Sequence, residues 1–349
     1  MKYRNLQSVV SLGGGTGLSC LLKGLKNRVL DPPVIEAPAF EPWISRLTAV
    51  VTVTDDGGSS GRLRDELQVL PPGDIRNCIV ALSADESLLS HLFQYRFPGS
   101  GQLQGHSFGN LFLTALTGVT GDFLEAIRVS SDVLAIKGKI YPSTLHDVRL
   151  QAVLADGSNV YGESLISGSR SRIVSLSLSP PDCAPVPAVV DAIRMADLIT
   201  VGPGSLFTSL LPNLLVPGIA DAIRRSSATK VYISNLMSQP GETTDYTAAD
   251  HLSAIYAHAG DRLFDCIILN NQPISNTVLA RYRTQGAMPV VNDRDRIAAL
   301  ELRIIEDALL ASGSVVRHDP DLLAAAVRRA VRGRKAHAAG AGEEIRAKS

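Results

Sequence analysis

Short apolar runs recur along the chain at Ser8–Leu12, Leu47–Thr54, Leu198–Val201, Lys230–Ser234 and Cys266–Asn270. Between them the apolar positions change to helical spacing, as over Phe123–Ala135, Ala188–Ala196 and Tyr246–His258. Strands that are apolar on both faces, alternating with amphipathic helices, predict an α/β fold: Rossmann-like, with a mostly parallel sheet and helices on both of its faces. One stretch breaks the rhythm. Val148–Ala155, the turn Asp156-Gly157-Ser158 and Asn159–Ile166 predict a β-hairpin, with Ile173–Leu178 as a third strand, so a small antiparallel layer is expected around residues 148–178. Asp31–Pro42 carries four prolines and reads as a surface excursion between the first helix and the second strand. The end of the chain, from Arg328, is rich in Arg, Lys, Ala and Gly, and residues 331–349 are expected to form a disordered, solvated basic tail.

Composition narrows the partners. The 349 residues carry 34 basic and 34 acidic side chains, a balance that gives no support to a nucleic-acid or membrane surface as the main partner. This length admits one large α/β domain or two smaller ones. Cys20, Cys78, Cys183 and Cys266 are widely spaced and form no C-x-x-C pair, which predicts reduced, mostly buried thiols. The chain enters a strand almost at once and contains no apolar run of membrane-spanning length, so a cytoplasmic protein is expected.

The chemistry is concentrated in loops after the strands. Gly13-Gly14-Gly15-Thr16-Gly17 follows the first, and Asp55-Asp56-Gly57-Gly58-Ser59-Ser60-Gly61 follows the second. In a parallel sheet the carboxyl ends of neighbouring strands face one crevice, where ligands bind. Glycines there let backbone approach a phosphate, and a helix start supplies free N–H groups. Adjacent aspartates beside adjacent glycines are unfavourable for stability alone, which points to a ligand or metal role for Asp55 or Asp56. Gly202, Gly204 and Ser205 form a third strand-end turn, and Asn235 opens a fourth loop in which a base or ribose could be read by its paired donor and acceptor. The segment ends in helix-cap chemistry at Thr243, Thr244 or Asp245.

Two further segments join these. In Pro71–Asn77 a helix starts with Asp74 as N-cap and Arg76 and Asn77 in the first turn, and an arginine fork suits a diphosphate. His106 and Asn110 flank the start of an apolar helix over Leu111–Leu116, as contacts for phosphate or substrate. Other chemistries lack their signatures. The first loop is neither a P-loop nor G-x-G-x-x-G, since the last glycine position of that fingerprint falls on Leu18, which argues against NAD-dependent redox chemistry. There is no zinc-ligand spacing of His and Cys. The metal role the residues support is a hard cation, Mg²⁺, between Asp55 or Asp56 and ligand phosphates.

Taken in order, Gly13–Leu18, Val53–Leu63, Pro71–Asn77, Gly105–Leu111, Gly202–Leu211 and Gln239–His251 resemble the gluconeogenesis-factor (YvcK-type) branch of the CofD-like family. The resemblance runs from about Val9 to Arg328, which implies a single CofD-like domain over residues 1–330. It also implies a cytoplasmic regulatory protein that binds a UDP-sugar, notably UDP-N-acetylglucosamine, and acts in cell-shape and wall-precursor control during gluconeogenic growth. The sister branch is a Mg²⁺-dependent transferase of 2-phospholactate from a guanosine diphosphate-activated donor; Gly13 and the run Gly57–Leu63 place this chain on the gluconeogenesis-factor side. The resemblance further implies nucleotide-sugar contacts at Tyr282 and Arg317. In that reading Gly13–Gly17 and Gly202–Ser205 cradle phosphates, and Arg76 and Arg317 neutralise diphosphate charge. Asp55 and Asp56 hold ribose or a hydrated metal, and Tyr282 stacks on uracil. An unidentified regulatory partner and a homodimeric state complete the expectations.

Overall fold

The computed structural model describes residues 6–30, 40–84 and 88–331. Most of the Asp31–Pro42 excursion, and the tail after residue 331, lie outside the described residues.

A seven-stranded sheet is built from β1 (Gln7–Gly13), β2 (Ile44–Val51), β3 (Lys139–Pro142), β7 (Leu198–Val201), β8 (Thr229–Ile233), β9 (Cys266–Asn270) and β10 (Arg303–Asp307). Its order is β10-β9-β8-β7-β1-β2-β3, and every pairing is parallel. Alternate residues of the central strands feed two cores, as the period-2 geometry of a strand requires. Val10, Leu12, Val50, Ile199 and Val201 face one core; Val9, Ala49, Val51, Leu198 and Val231 face the other. On the second face pack α1 (Gly15–Lys26), α3 (Gly73–Leu82) and the helix over residues 320–331, through Leu18, Leu21, Leu22, Ile79, Leu323 and Val327. The helices Pro187–Arg194, Ile219–Arg225 and Ala248–Ala259 cover the first face. Burying apolar strands on both faces at ~25 cal/mol per Å² is what holds such a sheet.

The strand order explains where the crevice is. From β1 the chain builds β2 and β3 on one side, and then returns to lay β7 on the other side of β1. The carboxyl ends of β1 and β7 are therefore a switch point, where successive connections diverge and leave room for a ligand.

The small sheet is also present, in the order β5-β4-β6, with β4 (Arg149–Leu154), β5 (Asn159–Tyr161) and β6 (Ile173–Ser179) antiparallel. The expected strand over Asn159–Ile166 is corrected: after Tyr161 the chain turns at Gly162 (φ 94°) into the short helix Glu163–Ser167, whose first N–H groups are taken by the Asp56 carboxylate. Three other boundaries shift. β2 stops at Val51, because Thr52 leaves the ladder to donate its N–H to the Gly13 carbonyl. The helix expected from Tyr246 starts at Ala248, where Thr247 and Asp250 form a reciprocal capping box, so the cap is Thr247 and not Thr243, Thr244 or Asp245. The helix expected over Leu111–Leu116 runs from Phe108 to Thr120, capped by the Ser107 hydroxyl.

Among the described residues no single helix is long and apolar enough to cross a membrane; one bent pair, Leu206–Leu215 with Ile219–Arg225, has the length and composition, and its apolar residues are largely packed in the core.

Candidate functional site

At the switch point Gly14 caps α1 with extended backbone and no side chain to accept the first-turn N–H groups. Apart from the Gly15 N–H, which a carboxylate from across the crevice accepts, the first-turn donors have no side-chain cap, a setting that suits a phosphate. Gly17, in the first turn, lies against the next loop: a methyl there would fall on the Pro203 carbonyl oxygen, 2.7 Å from its carbon and 3.0 Å from Gly204 N. Only glycine lets α1 and the β7 loop approach this closely. The β7 loop is tied in turn to the β8 loop, where Gly204 N donates to Asn235 Oδ1 (3.1 Å) and Gln239 Nε2 donates to Ser205 Oγ (2.7 Å).

These loops open on a cleft of about 840 Å³, a size suited to a nucleotide. Of the residues expected from the sequence, Gly14, Gly15, Thr16, Gly17, Asn77, Gly204, Ser205, Asn235 and Arg317 line it. Gly13 is buried beneath, its carbonyl receiving Asn213 Nδ2 at 3.0 Å. Gly202 (φ 91°) is the bend that brings the β7 loop over; a Cβ there would lie 2.7 Å from the Ile233 carbonyl. Tyr282 stands behind the wall and not in it: its hydroxyl accepts the Val316 N–H at 3.0 Å and holds the segment that carries Arg317.

The other expected residues form a neighbouring compartment on the β2 side. Asp55 Oδ1 accepts the Gly57 N–H at 2.9 Å. Asp56 faces away towards Glu163–Ser167, accepting from Glu163 N (2.8 Å), Ser164 N (2.9 Å) and Ser164 Oγ (2.7 Å). His106 Nδ1 pairs with Ser59 Oγ (3.0 Å), and Asn110 Nδ2 donates to the same oxygen (3.1 Å). Burial lowers the His106 pKa, so this ring favours its neutral form. Arg76 is buried without an ion pair among the described residues; its Nη2 donates to Asn77 Oδ1 (2.7 Å) and its Nε has no partner. Burial pulls this guanidinium down to about 10. Asp74 and Asp55 act on this arginine from a distance, with no direct ion pair to compensate its buried charge.

Asp74 corrects its expected role. Pro72 occupies the cap position and Asp74 is the second residue of α3, its carboxylate accepting the Gly15 N–H across the crevice. Burial, reinforced by Asp55, raises its pKa to about 6. Glu163 is pushed up to about 9 by burial and then by Asp55, Asp74, Glu242 and Asp56. A group of carboxylates thus adjoins the start of α1, with the buried Arg76 guanidinium as the nearby cation, and among the described residues no three His, Cys, Asp or Glu side chains are grouped to hold a metal by themselves.

Sequence reasoning passed over Ser19, Cys20 and Lys23, which also line the cleft. With Thr16 they fall at i, i+3, i+4 and i+7, one face of α1, so helical spacing from the glycine loop could have found them. Asp74 reads as a cap in the sequence because its closeness to Gly15 is a tertiary fact.

Similarity to known proteins agrees with this geometry. The family profile described as 2-phospho-L-lactate transferase CofD matches residues 9–310. The gluconeogenesis factor of Halalkalibacterium halodurans is 47% identical over 328 residues, covering 94% of this chain and 96% of that one. That of Bacillus subtilis (strain 168) is 46% identical, over 89% of this chain and 94% of its own. A crystal structure of a UPF0052-family protein from Bacillus halodurans superposes with a TM-score of 0.86 at 46% identity, covering 93% of this chain and 99% of that one. With the motifs in order, the cleft at the switch point and identity of this extent, the chain belongs to the gluconeogenesis-factor branch of the CofD family.

Proposed function

We propose that the chain is a ligand-sensing regulatory protein that binds a UDP-sugar, UDP-N-acetylglucosamine or a close relative, in the cleft at the carboxyl ends of β1 and β7. It would report that ligand to a protein partner in control of cell shape and wall precursors during gluconeogenic growth. The observation that carries this reading is the convergence of the α1 N-terminus, Gly204–Ser205 and Asn235 on one cleft of about 840 Å³. The N–H groups of α1 and the exposed Arg317 supply positive potential for a diphosphate. Asn235 and the apolar Leu236 and Met237, which line the cleft, would supply contacts for a base and ribose. Isothermal titration with UDP-N-acetylglucosamine, with GDP and NAD as controls, tests it: micromolar binding of the UDP-sugar alone is expected, and no UDP-sugar binding overturns it.

A second reading, a Mg²⁺-dependent phospho-group transferase, is favoured by the carboxylates beside the phosphate loops and by the name of the matching family profile. In this reading Asp55 and Asp74 would hold the cation, because Asp56 is engaged by Glu163 and Ser164. Bound there, Mg²⁺ would neutralise charge on the phosphates. Preference for GDP over the UDP-sugar in the same titration would support this reading, and turnover with a guanosine diphosphate-activated donor would decide for it.

A further inference from the structure

The strand order gives the cleft two ends. On one side of β1, beyond β7, the loop after β8 brings Asn235, Leu236 and Met237 to the lining. On the other side the chain runs from β2 into α3, which brings Asn77, Val80 and Ala81. The first turn of α1 lies between the two, because α1 follows β1. A diphosphate at that turn therefore has its base on one side and its glycosyl group on the other. The β8 end is mainly apolar: Val316, whose N–H is held by Tyr282 in the helix after β9, joins Leu236 and Met237 there. The α3 end offers the amides of Asn77 and of Gln94, at the close of the helix Leu88–Gln94. Amides carry donor and acceptor together and so suit sugar hydroxyls.

Charge separates the ends further. Among the described residues the lining holds two cations, Lys23 and Arg317, and no carboxylate; Asp55 and Asp74 stand outside it. In a chain balanced at 34 basic and 34 acidic side chains, a cleft of one sign favours an anionic ligand. Arg317 belongs to the diphosphate in the nucleotide-sugar reading, which leaves Lys23. This exposed lysine follows Thr16 by seven residues on the same face of α1, about 10 Å along the axis. Helical side chains lean towards the N-terminus, and Lys23 is close enough to act on the Cys20 thiol one turn back. Cys20 is still about 6 Å along the axis from Thr16. The two phosphates of a diphosphate share one bridging oxygen and do not span that gap. Lys26, the other lysine in the last turn of α1, is tied to the Ser83 carbonyl (2.7 Å), whereas Lys23 makes no ion pair among the described residues. Resting on the nucleotide-sugar reading above, we propose that the α3 end of the cleft is a glycosyl subsite for an acidic sugar. Lys23 pairs with a carboxylate on the hexose of the UDP-sugar, and Asn77 and Gln94 bond the ring hydroxyls.

UDP-glucose and UDP-glucuronic acid differ only at the sugar C6, a hydroxymethyl in one and a carboxylate in the other, so the pair isolates the charge. Both, with UDP-N-acetylglucosamine, are titrated into the wild type, Lys23→Gln and Lys23→Arg. The wild type should bind UDP-glucuronic acid at least about fivefold more tightly than UDP-glucose, because the added contact is charge-assisted. Salt at about 1 M should shrink that preference, since the screening length falls to about 3 Å. Lys23→Gln should bring the two ligands within about twofold of each other and leave UDP-glucose affinity unchanged, while Lys23→Arg keeps the preference. Lys23 is exposed, so neither exchange disturbs the core. Equal wild-type affinities for the two ligands overturn the assignment without recourse to a variant. If Lys23→Gln weakens both by the same factor, Lys23 serves the diphosphate and the assignment is again overturned. If the wild type binds none of the three, the nucleotide-sugar reading falls and the subsite with it; binding of UDP-glucose or UDP-N-acetylglucosamine without preference for the acid overturns the subsite alone.

Discussion

Replacing Gly17 by alanine isolates the contact on which the cleft is built. In a helix this exchange ordinarily stabilises, by about 1 kcal/mol, because alanine loses less entropy on folding. Here the added methyl meets the Pro203 carbonyl group, with carbon at 2.7 Å and Gly204 N at 3.0 Å. These are backbone atoms and cannot rotate away. Ordinary carbon contacts need about 3.5–4.0 Å, so α1 and the β7 loop must separate by about 1 Å. That strain costs about 1–3 kcal/mol, as overpacking does. It also stretches the 3.1 Å bond from Gly204 N to Asn235 beyond useful length, removing about 1 kcal/mol more. Set against the helix gain, the net is a loss of about 1–3 kcal/mol. On the proposed reading UDP-N-acetylglucosamine affinity should fall at least about tenfold, because the backbone N–H groups of the two loops no longer converge. Gly118→Ala is the matched control: it lies in the helix Phe108–Thr120 with no heavy atom within 4 Å of the added methyl, and should gain about 0.5–1 kcal/mol. Urea unfolding of both variants, with titration of ligand, reads the result. A Gly17→Ala protein as stable as Gly118→Ala, or one that binds as wild type, would refute the claim that this close approach shapes the site.

Other perturbations test separate parts. Arg317→Ala should weaken UDP-N-acetylglucosamine binding by about 1.5–3 kcal/mol if the contact is charge-assisted, and unchanged affinity by titration removes Arg317 from the site. Asp56→Ala removes the acceptor of three hydrogen bonds from Glu163 and Ser164, and should cost about 1–2 kcal/mol and raise amide exchange in Glu163–Ser167; unaltered protection there argues against the capping role. Asp74 has a pKa raised from 3.8 to about 6, so the folded protein keeps a proton that the unfolded chain releases. Its share of stability is present below pH 4 and is withdrawn as pH rises to about 6, by at most about 3 kcal/mol. Asp74→Asn should therefore flatten the urea midpoint between pH 4 and 6 and raise it at pH 7, whereas parallel wild-type and variant profiles would show that Asp74 is not strained.

The central strands were legible because their apolar runs are buried on both faces, which leaves a signal that needs no tertiary context: β1, β2, β7, β8 and β9 all fall within a few residues of expectation. The edge strands were not. Lys139–Pro142 is half exposed and ends in proline, and Arg303–Asp307 has no fully buried residue, so neither forms an apolar run. The Asn159–Ile166 segment misled for the opposite reason. Its apolar Val160, Leu165 and Ile166 fit a strand, but Gly162 and a remote carboxylate, Asp56, convert the second half to helix.

The site divides in the same way. Glycine loops after strands announce themselves, since a glycine there is informative about backbone whatever packs around it. What could not be read was pairing across the crevice. Asp55 and Asp56 look equivalent in sequence, yet one lies close enough to Asp74 to act on it while the other is consumed in holding Glu163–Ser167. Asp74 looks like a helix cap, yet its carboxylate meets Gly15 at the start of a different helix. Tyr282 and Arg317 are neighbours through Val316: the Tyr282 hydroxyl is one of several ties on the segment that carries Arg317, so on the proposed reading it would support a ligand contact from outside the cleft. A Tyr282→Phe exchange should on this account weaken ligand binding with little change in the cleft's own chemistry. A stacking role predicts the reverse, because phenylalanine stacks as well as tyrosine. Titration of that one variant separates support from contact.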